Sequence, residues 1–180
     1  DEWSSVYSAV QGFPPEIYHR EGRRLIGRDT VDYWHAMYQV NWPEQIAFGG
    51  YFADSKAKTQ FAKPAGGSLR EGAYGPGHFV TEDGAEVDFE GSVYFGIPMG
   101  AVVPPEGECD NLAVCWGISA TAMGFAAIRL EPFLNAVATG VGHMAVESLV
   151  SGTPIARLSY GAVRARLDAA GALLYRYQPT

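Results

Sequence analysis

Pro132 constrains what this chain can fold into more than any other residue. It lies inside the apolar stretch "ISATAMGFAAIRLEPFLNAVATG" at 118–140, which would otherwise read as one core helix. In a helix interior, proline removes a backbone hydrogen bond and clashes with the carbonyl four residues back. In the first turn its missing N–H costs nothing, and its fixed φ already suits the helix. The stretch therefore divides into a loop of small residues at 118–129 and a helix from about Glu131 to Val150. A second helix is expected from Ser159, an N-cap residue, through "YGAVRARLDAAG", with Gly171 as its stop. "ALLYRY" then reads as a closing strand.

Upstream, "REGRRLIGRDTVDYW" mixes charge with alternating apolar positions, as a strand leaving the surface does. Trp42-Pro43 marks a turn before a short buried strand through Ile46–Phe48. Gly49-Gly50 permits a tight bend, or close approach by another backbone or a ligand. Residues 62–86 are dense in Gly, Pro and charge and read as a hairpin with a long excursion. Residues 87–104 are β-rich, with Ile97-Pro98 ending a strand. "NLAVCWGI" at 111–118 reads as a fully buried central strand.

Composition excludes several function classes. The chain has 180 residues, room for one domain with a real core. A net charge of -7 argues against nucleic-acid binding, which needs clustered Lys and Arg. No uninterrupted apolar run approaches the length of a membrane span. Cys109 and Cys115 read as an incidental or buried thiol pair, and the four histidines (19, 35, 78, 143) are too scattered for a metal site. No Ser-His-Asp or Cys-His arrangement suggests covalent hydrolysis. "DEWSSVYSAV" lacks the basic and apolar regions of a secretion signal, so a cytoplasmic location is expected, with the first residue left by processing or trimming.

The loop and helix start carry the chemistry. The first backbone N–H groups of a helix have no internal partner, and its dipole favours negative charge there. A phosphate, a carboxylate or an electron-rich heterocycle can sit at such an end. Within the helix, Gly140 and Gly142 each cost about 1 kcal/mol against Ala, which points to tight packing against another element. These residues alone favour tight helix packing and a ligand-facing helix start equally.

"DNLAVCWGISATAMGFAAIRLEPFLNAVATGVGHMA" resembles the C-terminal flavin-binding segment of a family of FAD-dependent oxidoreductases. That family has a glutathione-reductase-like FAD domain and is distantly related to the fumarate reductase flavoproteins. Asp110-Asn111-Leu112, Ile118-Ser119-Ala120-Thr121, Arg129, Pro132 and Gly142 match the family's elements in order. "RRLIGRDTV", "WPEQIAFGGYFADS", "IPMGAVVPPEGECDNL" and "VRARLDAAGALL" extend the similarity over most of residues 20–174. Departures are Gly117 for the usual Cys, Ala122 for a His, Cys115-Trp116 where relatives have Gly and a charged residue, and Asp54-Ser55-Lys56 for Asp-x-His.

The resemblance implies an α/β class, an α+β fragment forming the C-terminal part of a two-domain flavoprotein. Residues 1–22 would be an extension, 23–108 part of a β-rich substrate or cap domain, and 109–180 the end of the FAD domain, with 111–118 as its buried strand. It implies FAD as cofactor, with Trp116, Gly117, Ile118, Ser119, Ala120, Arg129, Leu130 and Pro132 as flavin neighbours. His35 and Tyr51 are weak candidates for the substrate cavity, and no catalytic residue is assigned. The Gly-x-Gly-x-x-Gly fingerprint of dinucleotide binding is absent. The expectation is therefore the small subunit of a heteromeric flavoprotein complex, its partner chain carrying that fingerprint, which oxidises a small organic substrate by hydride transfer. The competing expectation is a non-catalytic binding or assembly subunit that keeps the fold.

Overall fold

The computed structural model describes residues 22–37, 40–51, 53–55, 72–74, 79–80, 86–87, 94–172 and 174. In chain order the elements are α1 (Tyr33–Met37), β1 (Gln45–Gly49), β2 (Ala53–Ser55), β3 (Gly72–Tyr74), β4 (Phe79–Val80), β5 (Glu86–Val87), β6 (Phe95–Pro98), α2 (Ala122–Ala126), α3 (Glu131–Ser151) and α4 (Tyr160–Ala169). Single 3-10 turns lie at Met99–Ala101 and Ile155–Arg157. The strands pair antiparallel as β1–β6, β2–β3 and β4–β5. Of the segment at 62–86, only β3, β4 and the first residue of β5 are described, and of "ALLYRY" only Ala172 and Leu174.

Pro132 acts as expected. Leu130 is the extended N-cap of α3, Pro132 falls in its first turn, and Gly152 ends it in the left-handed region at φ 67°. Ser159 is the N-cap of α4. That helix closes with a Schellman motif around Gly171, where the Ala172 N–H donates to the Leu167 carbonyl at 2.9 Å and the Gly171 N–H to that of Asp168 at 3.0 Å. The turn at Trp42-Pro43 and the buried strand after it also stand, as does the strand ending at Ile97-Pro98.

Helix α3 packs on β1. A Cβ at Gly140 would meet the Ile46 carbonyl at 2.9 Å, so the glycine is what lets helix and strand touch. Gly142 faces open space instead, and its expected tight packing does not occur. Ile46, Phe95, Ile97, Ile118, Phe125 and Val137 share one buried cluster across the junction at 108/109. Burying each such side chain contributes about 1.5–3 kcal/mol. Glu147 and Arg166 form an ion pair joining α3 to α4. By length and composition α3 is the one described helix that could cross a membrane. Its contacts with β1 and α4 account for its inner face within the fold.

Two expectations need correction. Residues 111–118 are a run of turns and not a buried strand. Its sideways bonds are isolated, the Val114 N–H donating to the Val102 carbonyl at 2.9 Å and the Gly117 carbonyl accepting from the Leu25 N–H at 2.8 Å, and Gly117 at φ 60° breaks any extended run. Leu112 and Trp116 are exposed, whereas a central strand would bury them. Cys109 and Cys115 are free thiols and both exposed, which leaves the incidental reading of the pair and not the buried one. The strand expected in "REGRRLIGRDTVDYW" does not form among its described residues: 22–31 makes a single β-bridge, Val31 in parallel with Ala120, beside isolated bonds from the Leu25, Arg28 and Asp29 N–H groups, and Tyr33 opens α1. The described residues thus form a mixed α/β fold of helices and small two-stranded antiparallel sheets.

Candidate functional site

Residues 117–121 are held from both sides. The Leu25 N–H donates to the Gly117 carbonyl at 2.8 Å, Val31 N–H to the Ser119 carbonyl at 3.0 Å, and Thr121 N–H to the Val31 carbonyl at 2.9 Å. On the other side the Ser119 N–H donates to the Ala101 carbonyl at 2.8 Å. The Ser119 hydroxyl pairs with that of Thr30 at 3.0 Å. Ser119 is 2% exposed and has its hydrogen-bonding groups engaged, so its part is to fix the loop.

Thr121 begins α2, its hydroxyl accepting from the Gly124 N–H at 3.1 Å. A Cβ at Gly124 would overlap the Val31 carbonyl and lie 2.9 Å from the Asp32 Cα, so α2 presses directly on backbone. The Arg129 N–H donates to the Phe125 carbonyl at 2.9 Å, one turn on from Thr121. The Arg24 guanidinium lies 5.9 Å from the buried Phe125 ring, tying the segment beside Gly117 to α2. Arg24, Phe125, Gly124 and Thr30 thus hold this loop, and of these only Gly124, as one of the loop's small residues, stood out in the sequence. Thr121 followed by Gly124 was the one local signal of the short helix.

The eight cofactor candidates fall into two groups. Gly117, Ile118, Ser119, Ala120 and Arg129 are buried. Trp116 is 59% exposed, Pro132 is exposed, and Leu130 is half-buried. Those three present surface to solvent, and the other five lie in the interior.

Tyr51 joins this neighbourhood. Its N–H donates to the Ala127 carbonyl at 3.2 Å, and a Cβ on the adjacent Gly50 would meet the Phe133 ring at 3.2 Å. His35 is occupied elsewhere. Its Nδ1 accepts from the Asp32 N–H at 3.0 Å and lies 2.8 Å from Asp32 Oδ1, while its ring packs against Trp42 at 4.6 Å.

These residues fit the ring end of a flavin and not its pyrophosphate. An exposed indole, a close-packed glycine turn and an α3 N-terminus without a side-chain cap suit a planar, electron-rich group. The sequence contains no Gly-x-Gly-x-x-Gly motif, and among the described residues no glycine-rich strand–helix turn that could grip a pyrophosphate occurs. A separate cleft of about 140 Å³, lined by Ile46, Phe48, Ala136, Thr139, Ala172 and Leu174, contains none of the candidates. It is also smaller than the roughly 300–1,000 Å³ of a typical ligand pocket. Among the described residues no group of His, Cys, Asp and Glu could hold a metal ion.

Neither a curated protein nor a solved structure matches the chain. A family model described as FAD dependent oxidoreductase matches residues 4–167, a span that takes in the locked loop, α2, α3 and most of α4. On that match the chain belongs to the FAD dependent oxidoreductase family, whose cofactor is FAD.

Proposed function

We propose that this chain supplies the ring-facing part of a flavin site shared with a further polypeptide segment, in an oxidoreductase that acts on a small organic substrate. The observation that carries the proposal is the locked passage from Gly117 through α2 to the uncapped start of α3. It lies in a chain of the FAD family that has no dinucleotide fingerprint.

FAD, when bound, supplies the acceptor for a hydride from the substrate. This chain's residues do the positioning. Trp116 offers an aromatic face, Leu130 and Pro132 shape the edge at the helix start, and the helix dipole places partial positive charge there. Ser119 and Thr30 hold the loop in place. In the same proposal 23–108 belongs to a substrate domain and 109–180 to the end of a FAD domain, so the arrangement has two domains.

The outward face of α3 supports the shared site. Val146, Leu149 and Val150 are exposed there, Leu149 to 84%, alongside Ala138, Gly142 and Ala145. Such a face is costly to leave in water and suits coverage by another segment.

The native assembly containing this chain should be yellow, with a flavin absorbance band and one FAD for each copy of this chain. A pure assembly that has no flavin, and takes up none when FAD is added, would refute the reading in favour of a non-catalytic assembly subunit.

A further inference from the structure

We propose that the outward face of α3 seats one particular helix, the helix that follows the glycine-rich turn in the segment gripping the flavin's pyrophosphate. The proposal deepens the shared-site reading and rests on it, because that reading puts the flavin ring at the start of α3.

Helix α3 is apolar on two sides. Leu134, Val137, Gly140 and Met144 are buried within the fold. Ala138, Gly142, Ala145, Val146, Leu149 and Val150 recur at helical spacing on the opposite side and are all exposed. The mean hydropathy of the helix reaches 1.2, yet 22% of that stretch is buried among the described residues. A helix apolar all round belongs inside a structure.

The shape of this face selects a helix as its occupant. At its middle, a Cβ on Gly142 would meet nothing within 4 Å. Glycine inside a helix costs about 1 kcal/mol against Ala. With Ala138 one turn before it and Ala145 about one turn after, Gly142 leaves a saddle where a second helix can cross closely, at the short end of the about 8–10 Å between packed axes. Leu149, 84% exposed, and Val150, 71% exposed, stand beyond the saddle as anchors. A strand would need free backbone groups to pair with, and a helix interior has none.

The cofactor determines which helix this is. Its ring end suits the N-terminus of α3, and its pyrophosphate suits another helix N-terminus, at a glycine-rich turn. One short ribityl chain joins the two ends, so two helices that both start on one flavin start side by side, as packed helices do. The inner face of α3 is already taken by β1, through Gly140 and Ile46. The outward face is the one left for the neighbour.

Charge points the same way. The exposed positions of α3 from Asn135 to Val150 carry no charge, and the helix contains no Lys or Arg. An anionic lipid surface is recognised through basic residues at the rim of an apolar face. A second copy of this chain would bring a further net charge of -7 and would still leave the pyrophosphate without its turn.

The test uses the native assembly in which this chain occurs, with a photoreactive benzophenone amino acid in place of Leu149 or, as control, of the exposed Ala165 on α4. Mass spectrometry then identifies the cross-linked peptide. The probe at 149 should join the helix directly following a Gly-x-Gly-x-x-Gly turn, and the probe at 165 should not. Gly142→Leu should fill the saddle and cut that cross-link about tenfold, whereas Gly161→Leu, at another open helix glycine, should change it by less than about twofold. A cross-link from 149 to a second copy, to another part of this chain, to lipid or to any other segment would overturn the proposal. So would the absence of a cross-link, equal cross-linking from 165, or equal effects of the two leucines. If the assembly carries flavin and the cross-link falls elsewhere, the docking proposal falls alone. If the cross-link joins the fingerprint helix in an assembly that takes up no flavin, the helix contact stands and the flavin reading falls.

Discussion

Phe125→Ala is expected to destabilise the protein by about 3–5 kcal/mol, the usual cost of truncating a buried phenylalanine. Phe125 is 2% exposed. Its ring packs in the main cluster, its carbonyl accepts the N–H groups of Ile128 and Arg129, and the Arg24 guanidinium lies over the ring. Truncation leaves a cavity and removes the cation's partner at the same time. For a chain of this size the thermal midpoint should fall by roughly 10 °C or more. Phe125→Leu keeps most of the volume and should recover most of the loss, while still lacking the contact with Arg24. A loss below about 1 kcal/mol in Phe125→Ala would show that the ring does not hold α2 in place.

Gly124→Ala is expected to cost about 3 kcal/mol, at the upper end for overpacking, because the added carbon meets main chain. Its neighbours are the Val31 carbonyl and the Asp32 Cα, and neither can turn aside as a side chain can. The same substitution at Gly142, which faces open space in the middle of α3, should instead stabilise by about 0.5–1 kcal/mol. Denaturant unfolding of the two variants therefore gives opposite signs for one chemical change. Because Val31 also bonds to Ser119 and Thr121, Gly124→Ala should additionally loosen the loop at 117–121.

What could be read in advance was what local chemistry decides. Pro132 fixes the start of α3 through its own missing N–H, and Gly171 fixes the end of α4 through its left-handed φ. Both signals lie within a few residues of the structure they specify. The error at 111–118 has a different origin. A short apolar run is compatible with a buried strand, but a strand also needs neighbours to pair with. Here Gly117 and the bonds to Leu25 and Val102 direct the backbone into turns, and only the tertiary fold settles that.

The site was legible as a place more than as a set of roles. The passage from loop to helix at 118–132 lies where its residue types indicate, although α2 interrupts the loop with a helix too short to show periodicity. The support for Ser119 comes from Thr30, 89 residues away, and the tie to Phe125 comes from Arg24. No spacing rule reaches that far. Gly140 and Gly142 make the same point within one helix, since identical residues two positions apart meet a strand in one case and solvent in the other.

The central claim is that the flavin ring lies against this chain at the loop and helix start. Backbone amide hydrogen exchange, compared between the flavin-loaded and flavin-stripped assembly, tests it most directly. The account predicts that flavin slows exchange at Trp116–Gly117 and at Leu130–Glu131 more than along α4, whose amides lie away from the site. Unchanged exchange at both stretches, with flavin-dependent protection confined to other parts of the assembly, would contradict it.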